Sequence, residues 1–174
     1  MSEADIYGSV ASPQGKYFKL KDGEEARIRI CSDSSEALIY EKEFERDGKF
    51  DLSTRFAYVV WNYDAGLAQV WSEVSGATYD KIKKLIMNKD YGDITQYDVT
   101  VSREGEQLQT KYDIIAAREN TELPGTALAA VAKIELKAEV EKGKGVQHVM
   151  SIREFHEMNV KQPKGAEVGD KSVY

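Results

Sequence analysis

The sequence predicts a mainly β protein: a small five-stranded barrel in Greek-key order with one inserted helix, followed by a C-terminal extension that is part helical and part irregular. Three observations carry this. Short runs of alternating apolar and polar residues recur from Ala26 to Ala116. Turn residues such as Asp22-Gly23, Asn62-Tyr63-Asp64-Ala65-Gly66 and Glu104-Gly105-Glu106 separate them. One stretch, Tyr79 to Ile86, instead places its apolar residues at helical spacing.

Residues 1–15 are polar, lack periodicity and read as a flexible arm. Lys16-Tyr17-Phe18-Lys19-Leu20 leads into the Asp22-Gly23 turn, and Ala26-Arg27-Ile28-Arg29-Ile30 then alternates strictly. Ile28 and Ile30 are expected in the core, with Arg27 and Arg29 facing outward. Ala37 to Phe44 is mixed and can form a strand. Arg46-Asp47-Gly48-Lys49 is a turn with two cations, read either as a basic finger beside a ligand or as a solvated hairpin tip.

Thr54-Arg55-Phe56-Ala57-Tyr58-Val59-Val60-Trp61 is a strand by propensity, and Leu67 to Val74 returns from the following turn as its partner. Thr78 can cap the helix, in which Tyr79, Ile82, Leu85 and Ile86 share a face, and Tyr91-Gly92-Asp93 stops it. Tyr97 to Arg103 and Leu108 to Ala116 form a second hairpin. After Pro124-Gly125, Thr126 to about Glu141 is rich in Ala, Glu and Lys and reads as largely helical. Gly143-Lys144-Gly145 breaks it, and Val146 to Val160 shows no decisive pattern. The expected organisation is an arm over 1–15, one domain over 16–120, a partly helical extension over 121–160 and a flexible tail over 161–174. A helix set among five short antiparallel strands is the pattern of an OB-fold, a small Greek-key barrel.

Composition excludes several classes. Of 174 residues, 41% are hydrophobic, too many for a wholly disordered chain. Cys31 is the only cysteine, which rules out a disulfide scaffold, and with His148 and His156 it falls short of a zinc finger. The start, Met1-Ser2-Glu3-Ala4-Asp5, lacks the basic and apolar regions of a signal peptide, and no apolar run approaches a membrane span, so a cytoplasmic protein is expected.

No catalytic constellation emerges, and neither an enzyme, a metal nor a cofactor is expected. A Ser or Cys nucleophile needs a histidine base, yet both histidines lie in the C-terminal part, far in sequence from Cys31. No phosphate loop, dinucleotide fingerprint or calcium loop is present. Asp90, Asp93 and Asp98 flank a turn and read as capping and turn residues.

Cations and rings interleave on the strands: Arg27 and Arg29, then Arg55, Phe56 and Tyr58, then Trp71, then Lys111 and Tyr112, with Arg46 and Lys49 at a turn. Single-stranded nucleic acid offers bare base faces and a charged backbone, so a protein holding it needs rings to stack and cations for phosphates. The net charge of −6 opposes such binding, but what matters is where the charges sit. Strand parity puts Arg55, Ala57, Val59 and Trp61 on one face and Phe56, Tyr58 and Val60 on the other, and either could meet a ligand or fill the core.

Phe56-Ala57-Tyr58-Val59-Val60-Trp61-Asn62-Tyr63-Asp64, Gln69-Val70-Trp71, Tyr79-Asp80-Lys81-Ile82 and Tyr91-Gly92-Asp93-Ile94-Thr95-Gln96-Tyr97-Asp98-Val99-Thr100-Val101 lie within Thr54 to Ala117. This stretch resembles the single-stranded-DNA-binding, helix-destabilising proteins of tailed phages. The resemblance implies an OB-fold that coats single-stranded DNA during phage replication and recombination, in the host cytoplasm and in contact with replisome or recombination proteins. It also implies that the ring beside a cation on the central strand, here Phe56 beside Arg55, meets bases. Two features depart from the family. No Cys and His cluster supplies the zinc site some members carry, and the tail from Gly165 to Lys171 is only weakly acidic. The competing readings are a protein-interaction or structural phage component on the same barrel, and a metal-dependent nuclease. A homo-oligomer is compatible with all three.

Overall fold

The computed structural model describes residues 2–3 and 15–160. The expected tail, and all but Ser2, Glu3 and Gly15 of the expected arm, lie outside the described residues. Within residues 15–160, seven strands and four α-helices run in the order β1 (Glu25–Ile30), β2 (Leu38–Arg46), β3 (Lys49–Asn62), β4 (Leu67–Val74), α1 (Gly76–Met87), β5 (Val99–Glu104), β6 (Lys111–Ala116), α2 (Ala127–Ala132), α3 (Leu136–Glu141), β7 (Val146–Ser151) and α4 (Ile152–Val160). All strand pairings are antiparallel. The protein is mainly β, as expected, but its sheet is open and has seven strands rather than five.

The sheet is organised around β3. β4 follows one edge of it, from the Phe56–Val74 pair to the Asn62–Leu67 pair. The other edge is shared: β2 takes Lys49 to Ala57 and β1 takes Val60 to Asn62. β5 and β6 extend the sheet beyond β1, and β7 extends it beyond β2. The chain before β1 lies along β4, where the Phe18 N–H donates to the Val70 carbonyl at 2.8 Å and the Val70 N–H to that of Lys16 at 2.9 Å.

The central strand is covered on both faces, which explains why it reads as an unbroken apolar run. Phe56, Tyr58 and Val60 point into one core with Ile28, Ile30, Val99, Val101 and Ile82 of α1. Ala57 and Val59 point into a second, smaller core closed by Leu136 and Val140 of α3. The extension after Pro124 therefore supplies both a lid for the outer face of β3 and the edge strand β7.

Two local expectations are corrected. Ser75, not Thr78, caps α1: its Oγ accepts the Thr78 N–H at 3.2 Å, and Thr78 is buried. β7 escapes the alternation rule because His148 has a φ of 56° and the β2–β7 register slips between Ile39 and Glu41, a bulge that breaks the two-residue period. No helix among the described residues is long and apolar enough to cross a membrane.

Candidate nucleic-acid interface

Arg27 and Arg29 do face away from the core, but not toward open solvent. Both reach Asp98, whose side chain is fully buried. The Arg27 Nε–H donates to Oδ2 at 3.1 Å and the Arg29 Nε–H to Oδ1 at 2.9 Å. The Tyr63 hydroxyl donates to Oδ1 at 2.7 Å and the Thr121 N–H to Oδ2 at 2.6 Å. Burial alone would raise the Asp98 pKa, but these four donors outweigh it and hold the carboxyl below its usual range. The cluster ties β1, the turn after β3 and the linker after β6 to one anion. Both arginines are tied to this one carboxylate, which leaves the cluster one net positive charge, and the expectation that they stand free for phosphate is corrected: each fastens β1 to Asp98.

The expectation that Phe56 and Tyr58 stack on bases is corrected too. Phe56 is 5% exposed and packs flat on Tyr79 of α1, ring centroids 3.9 Å apart. Tyr58 is 2% exposed. Parity put both on one face of β3 without saying which way it turned, and α1 closes that face.

Trp71 is buried to the same degree, so the expectation that its face stacks on a base is corrected as well; it backs the wall of a cleft. Phe18 meets it edge-on at 5.3 Å, and Tyr112 lies tilted at 6.3 Å. The cleft holds about 420 Å³ and is lined by Lys19, Arg55, Arg103, Tyr17, Trp71 and Tyr112 among others. Its one acid, Glu73, is paired with Lys42. Arg103 is fixed by the Leu20 carbonyl, yet its buried Nε has no partner among the described residues. Lys19 and Arg55 make no ion pair among the described residues and remain available to an anion.

A smaller hollow of about 210 Å³ continues the cleft, sharing Tyr17, Lys19 and Glu73 and adding Lys42 and Lys142. Its second acid, Glu139, accepts from the Tyr17 hydroxyl at 3.0 Å and from Lys142 Nζ at 3.1 Å, and it pairs with Lys16. Bonding to Lys16 foremost, then to Lys142 and Tyr17, lowers its pKa to about 2 against the opposing effect of burial. The contact staples the chain before β1 to α3.

The β2–β3 hairpin leads away from this cleft, and its ladder register sorts its charges by face. Residues directly opposite in an antiparallel pair share a face. The pairs Tyr40–Arg55, Lys42–Ser53, Phe44–Asp51 and Arg46–Lys49 form one face, with four cations and a single acid. The Arg46 guanidinium lies 5.5 Å from the Phe44 ring centroid. The pairs Glu41–Thr54, Glu43–Leu52 and Glu45–Phe50 form the other face, with three acids and no cation. The basic face joins the cleft at Arg55.

Of the residues singled out from sequence, the cleft brings together Arg55, Trp71 and Tyr112, and its basic extension adds Arg46 and Lys49. Lys111 is exposed beside Tyr112, opposite Glu104 on β5, and does not line the cleft. Lys19, Lys42, Arg103, Tyr17 and Phe44 were missed. The run Lys16-Tyr17-Phe18-Lys19 carried the same interleaving of rings and cations and could have revealed the first of them.

Among the described residues, no three His, Cys, Asp or Glu side chains converge as metal ligands would. No family model, curated protein or solved structure matches this chain.

Proposed function

We propose that this protein binds and coats single-stranded DNA without catalysis, holding the strand in the Lys19–Arg55–Trp71–Tyr112 cleft and along the basic face of the β2–β3 hairpin. On this reading the sheet is an OB-fold-like barrel left open and extended by β7. The setting is phage DNA replication or recombination in the host cytoplasm, beside replisome or recombination proteins, as the resemblance of Thr54 to Ala117 implies.

One observation carries the reading. In a chain of net charge −6, unpaired cations and partly exposed rings line one continuous cleft and hairpin face, while the acids of the same hairpin lie on its other side. Such a path is what a backbone of phosphates with free bases requires. A duplex offers no bare base faces, which favours single strands. Stacking contributes about 1–3 kcal/mol per base, so even one or two ring contacts matter.

Equilibrium binding of labelled oligo-dT and of duplex DNA across a salt series tests this. Affinity for oligo-dT should exceed that for duplex and fall steeply with salt, because each neutralised phosphate of a single strand contributes a slope of about −0.7. Absence of binding at low salt would overturn the proposal.

A further inference from the structure

One acid stands where the cleft meets the hairpin. Glu73 lines both the cleft and the smaller hollow beside it, and its carboxylate is paired with Lys42. Lys42 belongs to the basic face of the hairpin, in the pair that follows Tyr40–Arg55 on that face. Of that face's four cations it alone has an ion pair among the described residues.

The backbone brings Glu73 to this place at a cost. Its φ is 57°, a left-handed conformation that residues other than Gly, Asn and Asp seldom adopt. It lies where the β3–β4 register slips between Phe56 and Tyr58, and such bulges re-aim a side chain. The Tyr40 hydroxyl accepts the Glu73 N–H at 2.8 Å, and Tyr40 is itself buried, so the bulge is anchored. The pair that results is open to competition. The Glu73 side chain is exposed and that of Lys42 only partly buried, so the carboxylate can leave Lys42 and turn to solvent.

We infer that Glu73 is a built-in competitor of the bound strand: it holds Lys42 in the free protein and yields it to a phosphate where the strand passes from the cleft onto the hairpin. This rests on the nucleic-acid reading of the cleft and names the residue that limits how tightly that site holds a strand. Lys42 then adds no net ion release in the unaltered chain, because the freed carboxylate takes up a cation as the phosphate loses one.

The test titrates oligo-dT long enough to leave the cleft, across a salt series, against the unaltered chain, Glu73→Gln, Lys42→Met and the double variant. Glu73→Gln should bind about two- to fivefold more tightly at low salt, the effect of one partly exposed ion pair. Its salt slope should steepen by about 0.7. In the Lys42→Met background the same change should lose both effects. A gain equal in the two backgrounds would mean that Glu73 acts only as a repelling charge, and no gain at all would mean that it does not compete. Either result, with the unaltered chain still binding, overturns the inference and leaves the cleft reading standing. No binding by the unaltered chain at low salt overturns both. Denaturant midpoints of the four chains, expected to agree, show that the comparison is made between equally folded proteins.

Discussion

Arg29 donates its Nε–H to Oδ1 of Asp98 at 2.9 Å, and the carboxylate it meets has no solvent contact. With Arg27, Tyr63 and the Thr121 N–H also on that carboxylate, the cluster is a fastening between elements distant in sequence. Breaking a buried pair by removing one partner costs about 3–5 kcal/mol. Asp98→Ala should lower unfolding free energy by that order in denaturant titrations. The oligo-dT affinity of the protein that remains folded should not change, nor should its salt slope.

The same cluster predicts a two-sided pH dependence. The Asp98 carboxyl is held down in the folded state, so its stabilisation is complete above the ordinary Asp value of about 3.9 and is lost as pH falls below it. Glu139, lowered to about 2, adds loss in the same direction. In alkali the sign reverses. Burial foremost, then the Asp98 carboxylate, raises the Tyr63 hydroxyl, and burial raises that of Tyr40 to about 12. Unfolded tyrosine ionises near about 10, so stability should decline from there upward. Thermal melts across pH should show both limbs, and Asp98→Asn should flatten the acid one.

Neighbours on β3 should behave oppositely. Phe56→Ala removes a ring packed on Tyr79 and should cost about 3–5 kcal/mol of stability. Arg55→Ala, one residue away in the cleft lining, should leave stability within about 0.5 kcal/mol. It should weaken oligo-dT binding and reduce the salt slope by about 1. Chemical denaturation and salt titration of the two variants check the split.

The hairpin faces predict an asymmetry. Lys49→Glu on the basic face should weaken binding of oligonucleotides long enough to leave the cleft. Glu45→Lys, on the opposite face, should not weaken it. Both side chains are exposed, so neither change should alter unfolding temperature. Equal losses from both variants would contradict the parity argument.

What the sequence revealed follows from range. β1, the β3–β4 hairpin and α1 were legible because alternation, turn residues and helical spacing are local signals. The Arg27 and Arg29 side chains leave the core as alternation requires, but nothing local says that Asp98, about seventy positions on, waits for them. Phe56 and Tyr58 were ambiguous because both faces of β3 are apolar. Leu136 and Val140, from the helical extension after Pro124, cover one of them, a long-range contact no local pattern announces. β7 was hidden by the His148 bulge and by a pairing that only the fold brings about. The charge sorting on the hairpin was latent in parity, but it needed the ladder register to become visible.

That a single strand lies in the cleft lined by Tyr17 and Tyr112, over the buried Trp71, is tested by fluorescence of a Trp61→Phe chain titrated with oligo-dT. Trp61 is buried and does not line the cleft, whereas Trp71 forms its wall, so Trp71 becomes the only reporter. Saturable quenching of Trp71 emission is expected, reversed by salt and weakened by Arg55→Ala. Binding that leaves Trp71 emission unchanged would contradict it.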